Sequence, residues 1–192
     1  MALFAPLYDM TLRWSRHRLA PRYLAALSFA ESTFFPVPPD VMLMPMVLGK
    51  PHRWWKFALL CTVMSVLGGL AGYVIGHFAL EWIEPWLHRF GHWETFERAQ
   101  EGFRKYGFWV VLLAGFSPIP YKVFTISSGT VGMFLPTFVV GSLLGRGGRF
   151  FLVAGLIRLG GAKAADTVRQ YVEILGWIMV VAVVAIVLWL RH

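Results

Sequence analysis

The sequence predicts an all-α polytopic membrane protein built from two inverted re-entrant helical hairpins plus transmembrane helices. Three observations carry this expectation. The 192 residues are 57% apolar and 15% charged, against about 45–50% and about 25% in a soluble domain. Two apolar stretches are each broken midway by closely spaced prolines. Each is followed by a glycine-rich apolar run of roughly the 20 residues that a crossing helix needs.

Composition excludes several classes at once. Sixteen Phe, nine Trp and six Tyr are too many for a disordered tail. A single cysteine, Cys61, leaves no internal disulfide framework and no multi-cysteine metal site. The net charge is +8, which in a soluble protein would suggest nucleic acid. Here basic residues suit cytoplasmic loops that face anionic headgroups. No RNA-binding signature or zinc-finger spacing is present, so neither a nucleic-acid partner nor a cofactor is expected.

Residues 1–22 mix Phe4, Leu7, Tyr8, Leu12, Trp14 and Leu19 with Arg13, Arg16, Arg18 and Arg22. That pattern predicts an amphipathic segment at the interface. Residues 23–49 form the first re-entrant hairpin. The run FFPVPPD at 34–40 places Pro36, Pro38 and Pro39 at its tip, where a helix cannot continue. Each arm is then too short to cross. Basic residues flank both ends, Arg22 before and Lys50, Arg53 and Lys56 after, which suits a segment that returns to its own side.

Residues 57–80 form a transmembrane helix without Lys, Arg, Asp or Glu. Gly68, Gly72 and Gly76 recur every fourth residue and mark a close-packing face. Residues 81–107 are an outer helical loop with five Glu and four Lys and Arg. Glu84, His88 and His92 stand there at four-residue spacing. Pro85, Gly91 and the want of a sure further ligand favour a solvated loop over a metal site. Residues 108–133 form the second re-entrant hairpin, with Pro118 and Pro120 at its break. Residues 134–157 are the next transmembrane helix, with Arg146 near its centre and Arg149 on the same face. Residues 158–192 supply a cytoplasmic loop and a C-terminal transmembrane helix.

Laying one break on the other pairs Pro36-Val37-Pro38 with Pro118-Ile119-Pro120, and Asp40 with Lys122. This is a weak internal duplication. One crossing helix between the hairpins makes them enter from opposite faces, which is a transporter architecture. Ten of the 18 Lys and Arg fall in segments assigned to the cytoplasm and four in 81–107, a modest bias for an inside N-terminus.

Five charged residues lie within the apolar region: Glu31, Asp40, Lys122, Arg146 and Arg149. Each costs about 2.5–3.5 kcal/mol at a helix centre on insertion scales. They must face one another, a wet cavity or a ligand. A purely structural network of two acids against three bases is one outcome. It leaves one positive charge over, which an anion would balance. Asp40 suits the positive end of the helix that follows Pro39. Lys122 opposes the dipole of its own helix and calls for a counter-charge, either Asp40 or a phosphate. Ser117, Thr125, Ser127 and Ser128 are candidate hydroxyl donors. No nucleophile–base arrangement is visible, and no enzyme is expected.

These residues resemble the DedA family, also called VTT or SNARE-associated Golgi domain proteins, and within it the YqaA-like branch. The resemblance rests on ESTFFPVPPDV at 31–41, FSPIPYKVFTISSGTVGM at 116–133 and FVVGSLLGRGGRFF at 138–151. It covers residues 23–157. It implies two facing re-entrant hairpins and movement of lipids across a bilayer, with bacterial members recycling undecaprenyl phosphate and eukaryotic relatives scrambling phospholipids. The family's acidic set matches Glu31 and Asp40, and Lys122 matches one basic position. Where family members carry a basic residue before the second break, this chain has Phe116 and Ser117.

The expected function is a multi-pass transporter or scramblase of phosphate-bearing lipids in a bacterial inner membrane, contributing to envelope homeostasis. Lys122, Arg146 and Arg149 would bind the headgroup. Glu31 and Asp40 would release it by pairing with those cations or by taking up protons. Alternatives are a proton- or ion-coupled transporter of a small solute and a non-transporting scaffold. A homo-oligomer is left open.

Overall fold

The computed structural model describes residues 19–33, 35, 37–89, 93–116 and 121–161. Regular structure among these is entirely helical, with no strand. Helix α1 spans Ala20–Thr33 and α2 spans Asp40–Gly49. A short 3₁₀ turn at Pro51–Arg53 leads into α3, Trp54–Arg89. Then come α4, Trp93–Phe116, α5, Tyr121–Thr130, and α6, Leu135–Gly161. Most of the expected interfacial segment 1–22 and the whole expected C-terminal helix lie outside the described residues, as do Pro36, Pro118 and Pro120.

Two segments are long and apolar enough to cross a membrane, Pro51–Trp82 and Leu135–Gly161. The first contains the expected crossing 57–80, and the second covers the expected 134–157 from Leu135 onward. Their outer faces fit a lipid environment. On α3, Leu59, Val63, Leu67, Val74 and Phe78 are all exposed, and on α6 so are Val140, Leu144, Leu152 and Leu156. Apolar stripes this long are rare on soluble monomers.

The short helices follow from the prolines. Pro39 stands at the N-cap of α2 with φ −66°, the angle its ring imposes and a helix start accepts. Helices α1 and α2 are 14 and 10 residues long, below the roughly 20 needed to cross. The second half is less symmetric than its apolar pattern predicts. Stretch 81–107 is divided between the end of α3 and the start of α4, and α4 has 24 residues. Its first turns turn Glu94, Glu97, Glu101 and Arg104 outward. Pro85 is accommodated within the last turns of α3.

The two halves repeat as a short helix followed by a long one. Helices α2 and α5 have ten residues each. Their first residues, Asp40 and Tyr121, lie 81 positions apart, as do Trp54 and Leu135 at the starts of α3 and α6. Two apolar cores result. One gathers Leu24, Leu43, Val47, Ala58, Phe150 and Ile157 from α1, α2, the start of α3 and the end of α6. The other gathers Val111, Tyr121 and Phe138, with Tyr73 packed against them, from α4, α5, the start of α6 and the middle of α3. Helices α3 and α6 therefore run antiparallel, with one hairpin's core at each end of the pair.

Glycines on α3 set the spacing. A Cβ at Gly68 would collide with the carbonyl of Phe29 in α1, and one at Gly76 with the carbonyl of Ile126 in α5. Each contact is tied by a threonine one turn on. Thr33 Oγ1 donates to the Gly68 carbonyl at 3.1 Å, and Thr130 Oγ1 donates to the Gly76 carbonyl at 3.1 Å. The same device thus docks α1 and α5 on either side of Gly72. This is backbone-to-backbone packing of the small-residue kind used between membrane helices.

Gly76→Val should lower stability by about 1–3 kcal/mol or more, because a carbonyl cannot move aside as a side chain can. Gly49→Ala, which meets nothing within 4 Å, should stay within about 0.5 kcal/mol. Thermal unfolding in detergent checks both.

Candidate functional site

The site forms where the ends of the short helices meet α6. Arg146 is completely buried. Its Nη2 pairs with Glu31 Oε2 on the last turn of α1. Its Nε donates to Ser65 Oγ of α3 at 2.6 Å. Its guanidinium lies over the rings of Tyr121 at 5.0 Å and Phe150 at 4.9 Å, positions favoured by the negative faces of aromatic rings. A charge in this setting needs all of these partners, because burial strips away its hydration.

Two hydroxyls close a ring around the pair. Ser32 and Ser65 lie Oγ to Oγ at 2.6 Å. Ser32 Oγ is also 3.2 Å from Glu31 Oε2, 3.3 Å from Arg146 Nη2 and 3.1 Å from the Ser28 carbonyl. Ser65 Oγ accepts from the arginine and either hydroxyl can donate in the Ser32–Ser65 bond; in one arrangement Ser65 donates to Ser32. Ser32 then donates either to Glu31 or to the Ser28 carbonyl. The ring offers a choice of acceptors without leaving any hydroxyl unsatisfied.

The second pair joins α2 to α6. Arg149 Nη2 meets Asp40 Oδ2. Asp40 is fully buried in the first turn of α2. Its Oδ1 has no hydrogen-bond partner among the described residues. The dipole end expected to hold Asp40 is present, but the carboxylate is spent on Arg149.

The structure thus brings four of the five predicted residues into two acid–base pairs. Asp40 is matched by Arg149 rather than by Lys122. Lys122 is half-buried in the first turn of α5. Among the described residues, the hydroxyls bonded to the Glu31–Arg146 pair are those of Ser32 and Ser65, which the sequence reading did not single out. Thr125 donates to the Lys122 carbonyl at 2.9 Å, Ser128 Oγ has no partner among the described residues, and Ser117 lies outside them. Tyr121, whose hydroxyl donates to Ser142 Oγ, was also missed. Four-residue spacing of Ser28 and Ser32 on α1 was the available signal. Among the described residues no cluster of three His, Cys, Asp or Glu suits a metal, and His92 lies outside them.

Arg146→Ala should cost about 3–5 kcal/mol by leaving Glu31 buried and unpaired. Ser65→Ala should cost about 1–3 kcal/mol. The double change Glu31→Leu with Arg146→Met should recover much of the single loss. A double-mutant cycle in thermal unfolding tests this set.

Comparison with known proteins places these features in a family. The VTT domain model matches residues 37–159. An uncharacterized protein of Haemophilus influenzae is 45% identical over 186 residues, covering 96% of this chain and 97% of its own length. An uncharacterized protein of Histophilus somni is 41% identical over 191 residues, covering both chains fully. Undecaprenyl phosphate transporter A of Staphylococcus aureus is 32% identical over 93 residues, 45% of this chain and 46% of that protein. No solved structure matches. With the domain match covering residues 37–159, Asp40, Arg146 and Arg149 among them, the chain belongs to the VTT domain family of membrane proteins, the DedA family.

Proposed function

We propose that this protein is a transporter or scramblase of phosphate-bearing lipids in the bacterial inner membrane, with its two hairpins re-entrant from opposite faces. One observation carries the proposal: two guanidinium–carboxylate pairs are buried between the hairpins and a membrane helix. Ionisable groups inside a bilayer mark substrate and ion paths by default. The likeness to an undecaprenyl phosphate transporter over about half the chain points to a polyprenyl phosphate or phospholipid as cargo.

The pairs divide the work. Arg146 is held by Glu31, Ser65 and two rings, so it is the fixed cation. Arg149 leans on a carboxylate with one oxygen unpartnered among the described residues. A phosphate offers a guanidinium the same two-oxygen edge as a carboxylate. Headgroup phosphate then takes the place of Asp40 on Arg149, with Lys122 as an added counter-charge. Asp40 returns as the phosphate leaves, which keeps the cation paired in both states. Proton uptake by Asp40 during its displacement would spare the membrane an isolated negative charge. The chemistry is binding and exchange, and no bond is made or broken in the lipid.

The test is flipping in liposomes that hold purified protein and a fluorescent phospholipid or polyprenyl phosphate, read by outer-leaflet quenching. Wild type should abolish leaflet asymmetry. Arg149→Ala, Lys122→Ala and Asp40→Asn should each slow this about tenfold or more. Unchanged rates in all three folded variants would overturn the proposed site. Flux of a soluble solute without lipid movement would favour a small-solute transporter.

A further inference from the structure

We propose that the end of the bundle formed by the start of α3 and the end of α6 is a docking platform for anionic phospholipid headgroups, separate from the buried pairs. The relevant residues are Lys50, Arg53, Trp54, Trp55, Lys56 and Arg158. They come from two places far apart in sequence. Trp54 packs edge-on against Phe151 of α6 at 6.0 Å, and Arg158 reaches back over the Trp54 ring at 5.5 Å. Lys56 lies over Trp55 at 5.3 Å.

All four cations are exposed, as is Trp55, and Trp54 is half-buried. None of the four forms an ion pair with a described residue, since the two buried pairs employ other arginines. No described carboxylate stands in this part of the chain. Glu31 and Asp40 are committed to Arg146 and Arg149. The described exposed acids, Glu81, Glu84, Glu94, Glu97 and Glu101, sit in the later turns of α3 and the first turns of α4. Among the described residues, the opposite end is mixed in sign and this end carries only basic charges.

Local structure explains only part of this. Lys50 and Arg158 follow or close helices, where a cation suits the negative dipole end. Arg53 and Lys56 stand at the beginning of a 36-residue helix, where a cation gains nothing from the dipole. Exposed and with no described acid beside them, they are open to an anionic partner outside the protein. An anionic leaflet surface supplies about 1 kcal/mol for each nearby Lys or Arg. Trp54 and Trp55 supply the amphipathic rings that settle at headgroup level. Charge and aromatic content therefore fit a phospholipid surface, and the exposed apolar stripes of α3 and α6 run directly from it into the bilayer. The platform would hold an annulus of anionic lipid at one leaflet, whether or not the buried pairs move lipid.

The test is an equilibrium count of retained lipid, independent of transport. The full chain is placed in micelles with equal phosphatidylglycerol and phosphatidylcholine, and bound lipids are counted by native mass spectrometry. Wild type should retain phosphatidylglycerol preferentially. Arg53→Gln with Lys56→Gln should reduce that preference about tenfold, and Arg158→Gln alone by severalfold. Arg104→Gln with Lys105→Gln removes the same charge from exposed positions on α4 and should change it little. A preference unchanged in the first variants, or lost equally in the α4 variant, would overturn the platform. Thermal unfolding confirms that each variant is folded, and Arg158→Gln keeps the test open if the pair variant is not.

Discussion

A guanidinium with no solvent exposure, set in a helix able to cross a bilayer, must find its partners inside the protein. Arg146 finds them on four elements: Glu31 on α1, Ser65 on α3, Tyr121 on α5 and Phe150 on its own helix. That requirement fixes much else. Glu31 reaches Arg146 because α1 lies backbone-close on α3, which Gly68 alone permits among side chains of any size. Tyr121 reaches it from the first residue of α5. The threonine ties at Gly68 and Gly76 hold α1 and α5 in register on the same helix.

The duplication then acquires a chemical meaning. The first residue of each short helix meets an arginine of α6, Asp40 on Arg149 and Tyr121 on Arg146. One half offers a carboxylate and the other a ring. A ring can cover a cation but cannot be exchanged for an anion, whereas a carboxylate can. The two halves thus present unequal partners to α6, and in the proposed exchange Asp40 is the one that an anion can replace.

The breaks, the two crossing helices and the buried charges were legible because each is a local signal. Closely spaced prolines interrupt a helix, and five charges in apolar runs are conspicuous. Their pairing was not legible. Spacing along α6 shows that Arg146 and Arg149 share a face, but not that α2 lies opposite the second. Asp40 looked equally suited to Lys122 at the matching repeat position. Ser32 and Ser65 were overlooked because a serine in a membrane helix ordinarily bonds its own backbone, as Ser28 does with the Leu24 carbonyl. Tyr121 and Phe150 looked like ordinary core aromatics. The start of α4 was hidden by its polar face, since a helix outside the apolar layer carries no apolar-run signal.

The central claim is that the Asp40–Arg149 pair is exchanged during transport and is more than a strut. Reversing it separates the two. Asp40→Arg with Arg149→Asp should restore the folded state that either single reversal loses, yet leave liposome flipping of a phosphate-bearing lipid at the protein-free rate, because the exchangeable cation then stands on the wrong helix. Folded protein with wild-type flipping in the reversed variant would contradict the account and leave the pair a structural tie.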